Sequence, residues 1–138
     1  MGLLAHGDGL LKPFLRWAGT LALSGSLSRR DQELLALRAA FRMDSTYEWD
    51  EHAVMAADAG LTVDEIAAIG SPADPGSWTD VEQALLIAAD QLIATGRITD
   101  EVYAELAAHY PPSALVEVPM VVGQYTMLSM LCGFFGID

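Results

Sequence analysis

Residues 27–42 read Leu27-Ser-Arg-Arg-Asp-Gln-Glu-Leu-Leu-Ala-Leu-Arg-Ala-Ala-Phe-Arg42, and residues 45–52 read Ser45-Thr-Tyr-Glu-Trp-Asp-Glu-His52. The first stretch is rich in Ala and Leu, which lose little side-chain freedom in a helix. Only Met43 and Asp44 separate it from the second stretch, so the two helices must fold back as a tight antiparallel hairpin. This hairpin decides the fold that we predict.

The composition of the whole chain points to the same fold class. The 138 residues include 21 Ala and 19 Leu but only 14 Val and Ile together, and no segment alternates with period two. A chain of this length corresponds to about one domain. We therefore predict a single all-α domain over residues 1–138, a helical bundle built on the hairpin with residues 1–26 as an N-terminal extension.

Capping signals set the helix boundaries. Ser28, Thr62 and Thr79 each stand at a predicted N-cap with an acidic residue three positions later, which is the pattern of a capping box. Glycines follow three of the predicted helices, at positions where a glycine ends a helix; they are Gly60, Gly70 and Gly96. The predicted helices span residues 9–24, 29–42, 45–59, 63–69, 80–95, 100–109 and 113–134, with Pro119 expected to kink the last helix or delay its start.

The charge excludes two classes of partner and divides the chain into unlike parts. Seven Lys and Arg against 19 Asp and Glu give a net charge of −12, so binding to nucleic acid or to an anionic membrane surface is not expected. Residues 1–43 carry six of the seven basic side chains, and the rest of the chain has a net charge of −15. This division indicates either a basic helix surface or contacts between the two parts within a homo-oligomer.

Three further features bear on the cellular compartment. Cys132 is the only cysteine and lies in an apolar run, so we interpret it as a small core residue and expect no disulfide. Residues 118–137 contain no charge and are long enough to span a membrane. Their Pro, Gly and polar residues favour a helix buried in the core and at a subunit contact instead. The N-terminus lacks the pattern of a signal peptide, and we expect a cytoplasmic protein.

Three polar residues recur on one face of the second hairpin helix. Ser45, Glu48 and His52 are spaced by three and four residues, and Glu33 on the first helix lies at a position that can face them. A carboxylate beside an imidazole, both partly buried, forms an acid/base pair that works near neutral pH. We expect Glu33, Glu48 and His52 to lie within about 3 to 5 Å of one another in an apolar pocket. A solvated surface pair of Glu48 and His52 is the alternative.

The chain also resembles a known family in the segments 27–40, 45–52 and 59–66 (Ala59-Gly-Leu-Thr-Val-Asp-Glu-Ile) and, more loosely, in 82–90 and 123–128. These segments are similar to the carboxymuconolactone decarboxylase family, which includes the alkylhydroperoxidase D-like proteins. The redox branch of that family has a Glu, a Cys-x-x-Cys pair and a His at positions that correspond to Glu33, Ser45, Glu48 and His52. Since both cysteines are replaced here, the resemblance implies the decarboxylase branch without thiol peroxidase chemistry. It also implies a trimer or a hexamer.

The remaining candidates are assigned to the substrate pocket. Tyr47 and Trp49 flank Glu48, and either lines the pocket or packs in the core. Arg38 is a candidate to bind a substrate carboxylate, as is Arg42. Because Glu48 and His52 supply only two ligands, we expect no metal and no cofactor.

These observations lead to one principal hypothesis and two others. The first is a cofactor-free acid/base enzyme resembling carboxymuconolactone decarboxylase, which acts on a small carboxylated or enolisable substrate through Glu33, Glu48 and His52. In this hypothesis His52 moves the proton, Glu48 orients or shares it, and Glu33 is either a second acid/base group or a residue that tunes the pKa of the others. The second hypothesis is a non-catalytic oligomer that binds a small ligand, and the third is a diverged isomerase or cyclase.

Overall fold

The computed structural model describes residues 2–7, 9–23, 25–71 and 77–137, which form helices and no strand. A short 3-10 helix at Gly2–His6 precedes α1 (Leu11–Leu23), α2 (Arg29–Arg42), α3 (Thr46–Asp58), α4 (Val63–Ile69), α5 (Asp80–Thr95), α6 (Asp100–His109) and α7 (Pro112–Phe134). The predicted all-α class is therefore confirmed for the described residues. The predicted end of the first helix at Ser24 lies outside them.

The predicted N-caps are present. The Thr62 hydroxyl accepts from the backbone N–H of Glu65, whose carboxylate accepts from the N–H of Thr62 in return. Thr79 and Glu82 form the same reciprocal pair at the start of α5. Each box satisfies two backbone donors that a helix start would otherwise leave free. The start of both helices is thus fixed by residues within one turn of sequence.

The glycines that follow the helices differ in what they contribute. Gly60 and Gly96 have φ values of 97° and 75°, in the left-handed region that favours glycine. Gly70 has an ordinary φ of −82°. A Cβ at Gly70 would lie 3.1 Å from the Trp49 ring, so this glycine lets the indole of α3 pack closely against the end of α4.

Helix α2 is the central element of the bundle and contacts α3, α4, α5 and α7. Its residues from Glu33 to Ala40 are all buried, which leaves no solvent-facing stripe in the middle of the helix. Burial on every side explains the nearly continuous apolar run Leu34–Leu37. It also means that the charged side chains of this segment, Glu33 and Arg38, must find partners on neighbouring helices.

The predicted hairpin joins α2 to α3 through Met43, Asp44 and Ser45. Asp44 has a φ of 54°, a conformation that Asp adopts more readily than most residues. Ser45 then caps α3 by accepting from the backbone N–H of Glu48. The return of the chain brings the first half of α2 opposite the middle of α3, where His52 lies.

Helix α7 runs without interruption from Pro112 to Phe134, so the delayed start considered for Pro119 is wrong. This helix is long and apolar enough to cross a membrane by length and composition, and a third of its apolar window (33%) is buried inside the protein. It packs on α2, α3, α5 and α6. One face of α7 therefore belongs to the core and another is left uncovered.

Replacing Arg30 with Met is expected to destabilise the fold by about 1–2 kcal/mol. Arg30 forms ion pairs with Glu65 of α4 and Glu82 of α5. The Arg30 hydrogen bond, followed by the Thr62 N–H, lowers the pKa of Glu65. A lowered carboxyl pKa stabilises the fold above the unfolded pKa and is lost as the pH falls through the folded pKa. Urea unfolding should therefore show that Arg30→Met lowers the free energy of unfolding at pH 7 and lowers it less near about pH 3.

The exposed neighbour Arg29 provides the matched control, because it precedes Arg30 on the same helix turn. Arg29→Met should leave the free energy of unfolding within about 0.5 kcal/mol of the parent value. The ion pairs of Arg30 would not be the cause if both variants lost the same free energy of unfolding. The same holds if the loss for Arg30→Met did not change with pH.

Candidate functional site

Glu33 of α2 and His52 of α3 form a buried pair. The Glu33 Oε2 atom lies 2.7 Å from His52 Nδ1, and the two residues are only 7% and 3% exposed. The predicted proximity of these two groups is confirmed. A carboxylate at Nδ1 favours the tautomer with its proton on that nitrogen, so the other ring nitrogen, Nε2, is left for chemistry.

His52 lies in the wall of a cavity of about 410 Å³. The walls come from the 3-10 helix, α1, α3 and α7 and are mostly apolar, with contributions from Leu3, Leu4, Phe14, Met55, Leu128 and Leu131. The polar side chains that line it are Tyr47, Glu48, Glu51, His52, Gln124 and Tyr125. Glu33 is not among the lining residues and lies behind His52. An imidazole held from behind by a carboxylate thus faces a largely apolar space.

Glu48 lines the same cavity one turn before His52. Its Oε1 atom is buried without a hydrogen-bond partner in the part of the chain that the structure describes. Burial raises the pKa of Glu48, with the charge of His52 opposing the shift and that of Glu51 adding to it. A carboxyl in this setting keeps its proton to higher pH and can donate a hydrogen bond into the cavity.

The glutamate that contacts the His52 ring is therefore Glu33. Spacing alone made Glu48 the group that orients His52, because residues four apart are neighbours on a helix. In the structure Glu33 reaches Nδ1 from the facing helix, while Glu48 lies in the cavity wall. The hydrogen bond to the imidazole comes from the partner helix because the hairpin brings α2 directly against α3.

Tyr125 of α7 completes the site and was not predicted. Its ring meets the His52 ring edge-on at a centroid distance of 4.3 Å. Burial, followed by the charges of Glu33 and Glu48, raises the pKa of Tyr125 to about 12. The neighbouring Gln124 also lines the cavity, and its Oε1 accepts from Trp17 Nε1 at 3.0 Å. Gln124, Tyr125 and Thr126 form the longest polar run of this mostly apolar helix, and this run was the sequence signal for this side of the site.

The residues predicted for the substrate pocket divide into one that lines the cavity and three that do not. Tyr47 is in the wall. Ser45 is used as the N-cap of α3. Trp49 lies in a shallower depression of about 210 Å³, beside Gly70 and Ser45.

Arg38 is also absent from the cavity wall and has a structural role instead. It forms a two-point ion pair with Asp90 at 2.8 and 2.9 Å and donates to the Ile69 carbonyl at 2.7 Å. These contacts take up the guanidinium in a buried position, which disfavours the expectation that Arg38 binds a substrate carboxylate. Arg42 is paired with Asp90 as well.

The titratable groups of the cavity do not form a metal site in the described part of the chain, where no three His, Cys, Asp or Glu side chains converge. Cys132 is buried and lines the cavity from α7. Burial, followed by the charge of Glu48, raises the pKa of its thiol. A thiol in this setting keeps its proton and is a poor nucleophile.

Glu48→Gln is expected to stabilise the fold at neutral pH, because it removes a group that must ionise while buried. A carboxyl whose pKa is raised on folding costs stability once the pH exceeds its unfolded pKa, and the cost grows until the folded pKa is reached. Thermal unfolding should therefore give a higher Tm for the variant at pH 8 and an unchanged Tm near about pH 4.

Asp50→Asn serves as the control, since Asp50 is exposed on the same helix and does not line the cavity. It should change the Tm little at either pH. If Glu48→Gln lowered the Tm at pH 8, Glu48 would have to make a stabilising contact in its ionised form.

The comparisons with known proteins agree on family and fold. The model of the carboxymuconolactone decarboxylase family matches residues 9–91, a range that contains Glu33, Glu48 and His52. Among solved structures, one from Agrobacterium tumefaciens, described as a protein of unknown function and suggested to be the antioxidant defence protein AhpD, superimposes with a TM-score of 0.88 at 20% identity. The match covers 100% of this chain and 95% of the other. No curated protein gave a significant match. The chain belongs to the carboxymuconolactone decarboxylase family and has an AhpD-like fold.

Proposed function

We propose that this protein is a cofactor-free acid/base enzyme that moves a proton at a carbon atom of a small carboxylated or enolisable substrate. The observation that carries the proposal is the Glu33–His52 pair at 2.7 Å, with the imidazole in the wall of an apolar cavity. Family membership supports it, because decarboxylation leaves an enolate-like carbon that a positioned acid must protonate. Isomerisation of an enolisable compound needs the same groups.

His52 Nε2 is the atom proposed to exchange the proton. In a decarboxylation, the C–C bond breaks, CO₂ leaves, and the electron pair left on carbon takes the proton from a protonated Nε2. In an isomerisation, a neutral Nε2 takes a proton from carbon and returns it to another carbon. In both cases Glu33 holds Nδ1–H and stabilises the charged imidazolium, as a carboxylate does in other acid/base sites.

Thiol peroxidase activity is not part of the proposal. That chemistry needs a reactive thiolate and a second thiol to form a disulfide with it. The chain has Cys132 alone, and burial raises the pKa of that thiol.

The uncovered face of α7 supports an oligomer of identical chains. Its apolar residues repeat with spacings of four and three, interrupted by Gly123, and are 42% to 83% exposed. They are Val116, Met120, Met127, Met130 and Phe134. Alternating spacings of four and three place side chains in one seam, which is the pattern by which helices pair. We propose that a second copy of this chain covers this seam in a trimer or a hexamer.

Replacing both Met127 and Met130 with Glu is expected to dissociate the oligomer, because it would place like charges in the seam. Light scattering at micromolar concentration should give a multiple of the chain mass for the parent protein and the mass of one chain for the variant. Val63→Glu, at an exposed apolar position on α4, should leave the assembly intact. A parent protein with the mass of a single chain would contradict the proposal.

We also propose that the protein works in the cytoplasm on a small-molecule substrate, without nucleic acid and without membrane binding. The net charge of −12 supports the exclusion of both polyanionic partners. The packing of α7 against α2, α3 and α5 supports a core helix over a membrane span.

The proposed function is tested by proton exchange at carbon. A panel of β-keto acids, lactone acids, ketones and enones is incubated with the protein in D₂O, and NMR follows deuterium incorporation and loss of carboxylate. At least one class should react with the parent protein and not with a His52→Gln variant. Ligands that bind in the cavity without any exchange would favour the non-catalytic binding protein instead.

A further inference from the structure

The described residues that line the cavity include no Lys or Arg to receive a carboxylate. The acidic and basic side chains that line it are Glu48, Glu51 and His52, and none of its described lining residues is a Lys or Arg. Arg30, Arg38 and Arg42, three of the chain's seven basic residues, are paired with carboxylates of α4 and α5. His52 is itself held by Glu33. A substrate carboxylate would enter an apolar space beside two glutamates, which is costly for a charge without a partner.

The same cavity is well suited to an uncharged oxygen. Glu48 and Tyr125 both line it, on α3 and α7. The Glu48 Oε1 atom has no partner among the described residues, and a buried polar atom without a partner within the protein is a natural contact for a ligand. Burial raises the pKa of Tyr125 to about 12, and burial also raises the pKa of Glu48, which favours its protonated form. In its protonated form each group can donate a hydrogen bond into the cavity.

We propose that the substrate is an uncharged, largely apolar carbonyl compound whose oxygen accepts hydrogen bonds from Glu48 and Tyr125 while its acidic carbon faces His52 Nε2. The inference rests on the proposed acid/base function and selects the enolisable class over the carboxylated class. The cavity volume of about 410 Å³ lies near the low end of small-molecule sites, about 300–1,000 Å³. The apolar side chains of the 3-10 helix and α7 then enclose the hydrocarbon part of the substrate.

The proton balance of this reaction is closed within the site. Neutral His52 Nε2 takes a proton from the carbon next to the carbonyl, the C–H electron pair forms a C=C bond, and the carbonyl π pair moves to oxygen. The enolate oxygen gains one negative charge as His52 gains one positive charge. Neutral donors in an apolar cavity stabilise this oxyanion more strongly than the starting carbonyl, which is how such donors accelerate a reaction. The proton then returns to carbon at a different position.

The test compares acetophenone with benzoate, two planar molecules of nearly equal size that differ in charge. Equilibrium binding is measured by protein NMR shifts at pH 7, with ethylbenzene as the analogue without oxygen. Acetophenone should bind about tenfold or more tightly than benzoate, since the carboxylate meets two glutamates and no Lys or Arg among the described lining residues. Tyr125→Phe should lower the affinity for acetophenone about three- to tenfold and leave the affinity for ethylbenzene unchanged.

Glu48→Gln provides the complementary variant, because an amide keeps a donor but cannot ionise. This variant should leave the affinity for acetophenone nearly unchanged and increase the affinity for benzoate. The ratio of the two affinities should therefore decrease. Tyr103→Phe is the matched control, because Tyr103 is an exposed residue on α6 outside the cavity. It should change the affinity for neither ligand.

Three results would overturn the proposal: benzoate binding as tightly as acetophenone, acetophenone binding that Tyr125→Phe leaves unchanged, or no binding of either compound up to its solubility. Because binding is measured at equilibrium, these results are independent of turnover. If benzoate bound more tightly than acetophenone and deuterium exchange at carbon were observed, only the proposed substrate class would be rejected. The expected preference without any exchange would reject the proposed acid/base function alone.

Discussion

Replacing His52 with Gln is expected to reduce the rate of proton exchange at carbon by about 10²- to 10⁴-fold, the usual contribution of a general acid/base. Glutamine has a similar length, and its amide can still donate to the Glu33 carboxylate, so the buried charge keeps a partner. It has no group that exchanges a proton near neutral pH. The variant should therefore retain its circular dichroism spectrum and its affinity for acetophenone while turnover is lost. Deuterium incorporation followed by NMR measures the effect.

His109→Gln is the matched control for this experiment. His109 lies at the end of α6, is exposed and interacts with Glu105 of its own helix. Its replacement should leave the exchange rate within about twofold of the parent, as expected for a surface change. If His52→Gln kept most of the activity, His52 would be only a buried core residue, and the acid/base assignment would fail.

The fold could be predicted in some detail because its determinants are local. A capping box such as that of Thr62 and Glu65 needs only four consecutive residues. The hairpin followed from the two residues between the Ala- and Leu-rich stretch and Ser45. Even Gly70 was correctly placed at a helix end, although the reason is the contact with Trp49 rather than a positive φ.

The candidate site was only partly predictable because half of it depends on packing between distant segments. Periodicity placed Glu48 and His52 together, but it could not tell which glutamate reaches Nδ1, since that depends on how α2 and α3 face each other. Tyr125 lies 73 positions after His52, and only the packing of α7 brings it to the ring. The ion pair of Arg38 could not be predicted for the same reason, because its partner Asp90 is 52 positions away.

The hydrogen-bond partners of buried charged residues distinguish those that stabilise the fold from those that destabilise it. Arg38 satisfies Asp90 and two backbone carbonyls and therefore belongs to the structure. Glu48 has a buried oxygen without a partner within the described residues. Such an oxygen destabilises the fold, so a residue with a purely structural role would be expected to be replaced by an apolar one. Such a group is more easily explained by contact with a ligand than by the folding of the chain.

The last prediction concerns Glu33, which acts through His52 and does not reach the cavity. Glu33→Gln should lower the exchange rate by about 10²- to 10³-fold, because an amide at Nδ1 no longer fixes the tautomer or balances the imidazolium charge. The hydrogen bond to the ring is retained in a neutral form, so the free energy of unfolding should change by no more than about 1 kcal/mol. ¹⁵N NMR of the imidazole should show the loss of the single tautomer, a change that a merely structural glutamate would not produce.

A double variant tests whether Glu33 and His52 act as one unit. If Glu33 works only by holding Nδ1, Glu33→Gln should cause no further loss of activity once His52 is already Gln, since residues that act together are not additive. Glu105→Gln, a change of the same kind at a half-buried position on α6 outside the cavity, should leave both activity and tautomer unchanged. Additive losses in the double variant would mean that Glu33 affects the reaction by a route other than His52, and the two residues would then need separate roles.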